Sequence, residues 1–449
     1  MKKNVFKTII VALTLALTFT MGACAGGSGV AFVNDLTKDG KVYQVTGTVR
    51  TTTAATVEDN EGDGSTYNLR VWCADEDYEM IGEMLESYKA KYSANHYNFT
   101  LERQGEDVVS GTVMKDPEAA ADVFSFANDQ LGWLIKSKSI MSIPDEFSDQ
   151  IDKQISVARN AAKDSTTGIY YAFPYSYENC FLYYNKSLIT DVSSLEGILK
   201  QSISGVSANL YIDMGDSYYT TAFLYTAGVE IFGANGDDPN SIDFGANNEK
   251  AKKACAYIKS LNAKTKLVSE GDKNNQVAAL KQKKVAAIIS GPHMISAYKS
   301  ALGKDFAVAT LPTIELDGKA QPLISFAGVK MYGISSKSAK ARDQKTTNEA
   351  VKLAAYLSNE ENQIIRLEKR EFCPTQKDLF ESSVNSGKET IKVVYEQSFN
   401  SKLKSGLTKM DSYWSPMGNF LKGVYTLNRG EGTWDKYLND IKSKLLEIG

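Results

Sequence analysis

The residues able to do chemistry in this chain are mostly carboxylates set beside aromatic rings. Asp129 lies in Phe126-Ala127-Asn128-Asp129-Gln130, just after a strand-like run and at the start of a helix-like one. In α/β sheets ligands sit outside the carboxyl ends of strands, so Asp129 is placed to take a ligand hydroxyl and Phe126 to offer a flat apolar face. Asn128 or Asp129 as a helix N-cap fits the same local sequence. Glu178 closes the alternation Tyr171, Phe173, Tyr175, Tyr177 and reads equally as a solvated edge carboxylate. Asp213 and Asp216 precede Tyr218 and Tyr219 at the start of a helical pattern, where acids also favour the N-terminal dipole. Trp414, in Tyr413-Trp414-Ser415-Pro416, is a ligand platform or a core ring.

Paired carboxylates serve two kinds of chemistry. Flanking a glycosidic bond they act as acid and as nucleophile or base. Without turnover they accept hydrogen bonds from hydroxyl groups. Tyrosine outnumbers phenylalanine 24 to 18, and a ring that carries a hydroxyl suits a wet, sugar-like partner. Other chemistries are poorly provided for. The two histidines, His96 and His293, cannot build a histidine metal cluster and would strain a Ser-His-Asp mechanism. No G-x-S-x-G, H-E-x-x-H, P-loop or CxxC pattern occurs, so neither a metal nor a cofactor is expected. With 51 basic against 54 acidic residues the net charge is −3, which leaves no electrostatic footprint for nucleic acid.

The elements that must position these residues read as α/β. Asn68 to Ala74 forms a strand pattern, Asp77 to Tyr92 a helix with Ile81, Met84, Leu85 and Tyr88 on one face, Asn98 to Gln104 a second strand and Ala121 to Phe126 a third. That order argues for a parallel sheet. Pro174 has no N–H to give, so Gly168 to Tyr184 is no uninterrupted central strand and fits a strand that leaves one domain for another. Tyr218 to Ala227 and Asn248 to Leu261 read as helices; Lys284 to Ser290, Phe306 to Leu311 and Val329 to Ile334 read as strands. Helices dominate from Asn348 onward, with a capping box at Ser358-Asn359-Glu360-Glu361. Leu69, Val71 and Cys73 share a strand face, and Ala251, Ala254, Cys255 and Ile258 a helix face, so these two cysteines behave as small core residues. Four cysteines beyond Cys24 allow three full pairings, but their wide spacing carries no redox or metal signature and favours free thiols.

At the N-terminus, Lys2 and Lys3 precede an apolar run from Thr8 to Met21 that ends in Gly22-Ala23-Cys24. It is too short for a span and reads as a secretory signal. Met21-Gly22-Ala23-Cys24 resembles the bacterial lipoprotein box, which implies a signal peptide over residues 1–23 and lipid on Cys24. Residues 24–65, rich in Gly, Ser, Thr and acids, then read as a lipid-anchored flexible spacer. Val42 to Thr46 within it alternates like a strand.

Taken in order, the folded segments resemble the extracellular sugar-binding proteins of ABC importers, the maltose/maltodextrin-binding protein family, from about Asn68 to the C-terminus. Ala121 to Asp129 looks like that family's strand ending in an aromatic-Ala-His-Asp turn. Phe173-Pro174-Tyr175-Ser176-Tyr177-Glu178 through Tyr184-Asn185-Lys186 is similar to its hinge-crossing segment with a sugar-binding glutamate. Ser290-Gly291-Pro292 resembles the Gly-Pro before a ligand-facing aromatic, and Leu311-Pro312 the start of the return crossing. Phe326-Ala327-Gly328 through Pro374-Thr375 looks like the stretch that rebuilds the first lobe, and Ser412-Tyr413-Trp414 like the C-terminal aromatic platform.

The resemblance implies a two-lobed, periplasmic-binding-protein-like α/β fold with a helix-rich C-terminus. Each lobe is discontinuous: residues 66–177 and 326–372 form the N-terminal lobe, and 178–325 and 373–449 the C-terminal lobe with crossing segments. It implies Phe126 and Trp414 as stacking faces, Tyr218 at a family stacking tyrosine, and Asp129, Glu178 and Asp216 as hydroxyl acceptors. Departures mark subsites that differ. Gln130 stands where maltose binders have arginine, His293 where they have tryptophan, Gly418 where a second arginine is usual, and Glu76 and Asp77 where the family has an Asp-Lys pair. The function implied is a monomeric, non-catalytic receptor on the outer face of the cytoplasmic membrane. It would capture an oligosaccharide and deliver it to an ABC permease, with an α-glucan first and another oligosaccharide as the alternative. A glycoside hydrolase and a surface adhesin are the competing classes.

Overall fold

The computed structural model describes residues 62–269, 273–336 and 342–448. The expected signal segment, Cys24, and the expected spacer as far as residue 61, with its strand-like Val42 to Thr46, lie outside them.

In chain order the strands are β1 (Thr66–Cys73), β2 (His96–Arg103), β3 (Val123–Ala127), β4 (Phe173–Asn179), β5 (Phe181–Asn185), β6 (Ala208–Tyr211) and β7 (Leu267–Val268). They continue as β8 (Val285–Ser290), β9 (Phe306–Ala309), β10 (Thr313–Leu316), β11 (Lys319–Pro322), β12 (Ser325–Ile334) and β13 (Ser401–Leu403). One sheet runs β13-β12-β3-β1-β2, with β4 also paired to β12; the other runs β7-β6-β8-β5-β9. β1 lies parallel to β2 and β3, whereas β12 returns antiparallel to β3 and β4. The helices that concern the site are α1 (Tyr78–Lys91), α2 (Ser217–Thr226), α3 (Glu249–Leu261), α4 (Gln344–Leu357), α5 (Glu360–Arg370), α6 (Asp411–Tyr425) and α7 (Glu431–Glu447).

Two α/β lobes follow from this order. The chain passes from the first sheet to the second within one residue, because β4 ends at Asn179 and β5 begins at Phe181. Pro174 sits on β4 opposite Met331, where the register with β12 shifts, so the missing N–H falls at a bulge. The aromatic alternation therefore continues through the crossing, with Tyr175, Tyr177 and Tyr183 all fully buried. A second crossing runs from β9 through the β10–β11 hairpin to β12, and a third from β13 into α6.

The cores are those that the sequence patterns demand. Leu69, Val71 and Cys73 of β1 pack with Ile81, Met84, Leu85 and Tyr88 of α1, and each such side chain contributes about 1.5–3 kcal/mol on burial. Ala251, Ala254, Cys255 and Ile258 of α3 join Tyr413 and Met417 of α6 and Trp434 of α7 in the core of the second lobe. Asn248 caps α3 by accepting a hydrogen bond from the Ala251 N–H, 2.8 Å. The junction between α4 and α5 is capped one residue later than a box at Ser358 requires. Asn359 accepts from the Asn362 N–H at 2.9 Å, while the Ser358 hydroxyl turns back to the Ala354 carbonyl. Cys73, Cys180, Cys255 and Cys373 are buried free thiols.

Candidate functional site

Where the crossings meet, four buried carboxylates gather around two buried lysines. Asp129 lies on the 3-10 turn Asn128–Gln130 that follows β3, and its Oδ1 is 3.1 Å from the Lys404 Nζ. Its Oδ2 accepts the indole N–H of Trp414, 3.1 Å away. Glu178, near the end of β4, lies between the ammonium groups of Lys404 and Lys330, 3.9 Å from each. Lys330, on β12, is 2.6 Å from Glu106, whose carboxylate also accepts the Tyr175 hydroxyl. Asp77 pairs with Arg370 at the end of α5, 3.0 Å.

The electrostatics of the cluster are mutual. Burial pushes the Glu106 carboxyl up, but the adjacent Lys330 ammonium and the Tyr175 hydroxyl outweigh it and hold the group below the usual carboxylate range. Burial opposes charge on Lys404 as well, and Asp129 and Glu178 more than restore it, so its pKa lies above that of a free lysine. Both lysines stay charged because the carboxylates surround them.

Aromatic rings close one side. Tyr218, in the first turn of α2, stacks parallel to Phe326 with centroids 6.2 Å apart, and Trp414 meets both rings edge-on. The Lys404 ammonium lies 5.5 Å from the Tyr218 ring centroid. The Ser217 hydroxyl donates to the Trp414 carbonyl, 2.7 Å, so α2 and α6 hold the two rings in one frame. Asp129 and Glu178 thus come from the first sheet, and Tyr218 and Trp414 from helices packed on the second.

Other expected site residues sit differently. Phe126 is fully buried beside Phe124 and Gly333 and shows no ring face to solvent, so the stacking face expected there is a core ring in this conformation. Gln130 is equally buried. Its amide oxygen accepts from the Ser110 N–H at 2.7 Å and its amide nitrogen donates to the Glu106 carbonyl, so it braces the 106–110 loop. Asn128 and Asp129 make no N-cap bond; the Asn128 amide bridges the Val329 N–H and the Lys404 carbonyl. Glu178 is buried against lysines and is not a solvated edge group. Asp216 is exposed and does cap α2, accepting from the Tyr218 N–H at 2.8 Å. Glu76 is exposed on the 3-10 turn that also carries buried Asp77. His293 lies half-buried on the turn after β8; three residues on, Ser296 accepts a hydrogen bond from Arg370 at 3.4 Å. Gly418 is explained by packing, since a Cβ there would come within 2.5 Å of the Gly215 carbonyl oxygen.

Lys330, Lys404, Glu106 and Phe326 escaped sequence reasoning. For Lys330 a signal existed: a lone lysine in the otherwise apolar β12 run Val329 to Ile334 is costly without a buried partner. A groove of about 650 Å³ runs along residues 402–408 and meets the cluster at Lys404 and Asn128, which line it; Glu178, Tyr218 and Trp414 do not.

Residues 83–391 match the family model for bacterial extracellular solute-binding protein. The chain belongs to this family. Among solute-binding proteins, it is 31% identical over 267 residues to a galactooligosaccharide-binding protein of Bacillus subtilis (strain 168), a match covering 57% of this chain and 61% of that one. It is 27% identical over 289 residues to a maltooligosaccharide ABC transporter solute-binding lipoprotein of Streptococcus pneumoniae (strain ATCC BAA-255 / R6), covering 60% and 66% of the two chains. The matched stretch therefore spans less than two thirds of the length of either relative. In three dimensions the chain resembles a maltodextrin binding protein from L. casei BL23 without ligand. The TM-score is 0.74 at 25% identity over 85% of this chain and 100% of the other. The fold is also shared with a Streptococcus pneumoniae protein solved with maltopentaose, at a TM-score of 0.71, 22% identity and 84% and 99% coverage. The two-lobed α/β architecture is thus that of the maltodextrin-binding proteins.

Proposed function

We propose that this solute-binding protein is the receptor of a carbohydrate ABC importer that captures an oligosaccharide between its lobes and does not hydrolyse it. The observation that carries the reading is the convergence of Asp129 and Glu178 from one sheet with Tyr218 and Trp414 from the other lobe. A pyranose has apolar C–H faces for the rings and a hydroxyl rim for the carboxylates. A sugar touching both lobes favours the closed arrangement, the hinge closure for which periplasmic binding proteins are a general example. Asp216, Glu76, Asp77 and His293 are further ligand contacts in this proposal, on the strength of the family resemblance alone.

Residues 66–177 with 326–372 form the N-terminal lobe in this reading, and 178–325 with 373–449 the C-terminal lobe and crossings, of which Glu178, Asn179 and β13 are crossing residues paired into the first sheet. Cleavage before Cys24 and lipid on its sulfur would tether the monomer outside the cytoplasmic membrane, next to its permease. Malto-oligosaccharides are the first ligands to try. The relative named for galactooligosaccharide makes that class the second.

Calorimetric titration of the protein with maltotriose, maltopentaose and galactotriose, alongside chromatography of the incubated sugars, tests the reading. Saturable binding with intact sugars supports it; released product, or no heat with any of the three, overturns it.

A further inference from the structure

We propose that Lys404 is a positioning residue of this site, one cation on a crossing segment that holds both Asp129 and Glu178 in place as hydroxyl acceptors. The inference rests on the oligosaccharide-receptor reading for its ligand, but its geometry stands apart from any ligand.

The backbone of Lys404 is pinned on both sides. Its N–H donates to the Ala327 carbonyl at 2.8 Å, and its own carbonyl accepts the Asn128 amide at 2.8 Å. From that fixed origin the side chain crosses β12 over Gly328. A Cβ at position 328 would lie 2.8 Å from the Lys404 Cε and 3.1 Å from both the Lys404 Nζ and the Glu178 Oε1. Glycine there leaves the slot through which the lysine reaches Glu178. The ammonium ends 3.1 Å from Asp129 and 3.9 Å from Glu178, with the Tyr218 ring to one side. Three candidate ligand contacts from both lobes are therefore arranged around one nitrogen.

The charged groups facing it explain why the cation is needed. Asp129 comes from the turn after β3, Glu178 from β4, Lys330 from β12 and Asp216 from the start of α2, and Asp411 of α6 adds further negative charge near Asp129. Without Lys404, Asp129 keeps only the neutral indole of Trp414, and Glu178 only the 3.9 Å contact with Lys330, which is itself taken up by Glu106. Buried carboxylates so exposed to one another take up protons more readily. A protonated carboxyl turns one acceptor oxygen into a donor, which changes the hydroxyl pattern the site reads. The rival role, in which the ammonium itself binds an acidic sugar, fits poorly because two carboxylates already enclose it.

The test uses the full chain, with Lys404→Met, Lys404→Arg and Gly328→Ala. Carbon-detected NMR titration of the side-chain carboxyls in the sugar-free protein is expected to show Asp129 and Glu178 titrating at higher pH in Lys404→Met, with Lys404→Arg close to the parent. Unchanged titration overturns the proposal. Calorimetry with whichever neutral trisaccharide the parent binds, maltotriose or galactotriose, is expected to show at least about tenfold weaker binding for Lys404→Met, the loss growing as pH falls. Parent-like affinity across that range also overturns it, and so does tight parent binding of tri-galacturonate that Lys404→Met abolishes. If Lys404→Met does not fold, Gly328→Ala, which displaces the lysine from its slot, is read in the same two assays. A parent that binds no sugar removes the receptor reading and leaves the NMR outcome to decide the role of Lys404.

Discussion

The Trp414 indole donates its hydrogen bond to Asp129 across the two lobes, 3.1 Å from Nε1 to Oδ2. Lys404 forms an ion pair with the other oxygen, Oδ1, which accepts no hydrogen bond among the described residues. A ligand hydroxyl that uses Oδ2 replaces the indole or shares the oxygen with it, and the tryptophan environment changes as a result. Sugar addition is therefore expected to change the intrinsic fluorescence of the parent. The change should vanish in Trp414→Phe, because Trp72, Trp133 and Trp434 lie in β1, in the helix Leu131–Lys136 and in α7. Trp414→Ala should weaken sugar binding by about 2 kcal/mol or more, as buried aromatic anchors do. A full fluorescence response in Trp414→Phe would place the sugar elsewhere.

The acid limb of stability should report the pair Glu106 and Lys330. Burial raises the Glu106 carboxyl, but Lys330 and Tyr175 more than reverse this, so the folded pKa lies below the unfolded one. A carboxyl depressed in this way contributes stability above its unfolded pKa and loses it as pH falls through the folded value. Lys330, raised when folded, keeps its contribution throughout the acid range and loses it only at strongly alkaline pH. Glu106→Gln should cost about 3–5 kcal/mol at neutral pH, the usual loss on breaking a buried pair, and less in acid. Denaturant midpoints measured from neutral to acid pH check the sign; a cost that grows in acid contradicts it.

Much of the architecture was legible because it depends on local pattern. The α1 face of Ile81, Met84, Leu85 and Tyr88 and the β1 face of Leu69, Val71 and Cys73 follow from helix and strand periods alone, and both are buried as the periods require. Pro174 pointed to the crossing because a missing N–H has few places in a sheet. The site was harder. Asp129 and Glu178 are found together, but the cations between them come from positions 330 and 404, far away in sequence, and no spacing rule links those four residues. Phe126 shows the converse failure, since strand alternation does not say which sheet face is open to a ligand.

Phe126→Ala is accordingly expected to act on the fold more than on the ligand. The ring is fully buried, touching Phe124 and filling the space over Gly333, so truncation leaves a cavity. A loss of about 3–5 kcal/mol in unfolding free energy is the usual scale for such a change. Sugar affinity of the folded fraction, measured by calorimetry well below the melting temperature, should stay close to the parent. A large affinity loss with unchanged stability would return Phe126 to the cleft.

Gly418→Arg tests whether the helix contact or the ligand dictates that position. An arginine usual in maltose binders suggests restoring one, but α6 runs so close to the turn before α2 that a Cβ would meet the Gly215 carbonyl oxygen at 2.5 Å and the Ser217 nitrogen at 3.3 Å. The turn would have to move. That movement would loosen the Asp216 cap on the Tyr218 N–H and the Ser217 hydroxyl bond to the Trp414 carbonyl, both of which orient aromatic rings of the site. Overpacking of this kind costs about 1–3 kcal/mol, so a lower melting temperature is expected together with weaker sugar binding. Gly418→Ala should show the same two losses to a smaller degree, because the collision begins at Cβ. If Gly418→Arg instead binds malto-oligosaccharides more tightly at unchanged stability, the turn gives way easily and the position belongs to ligand recognition.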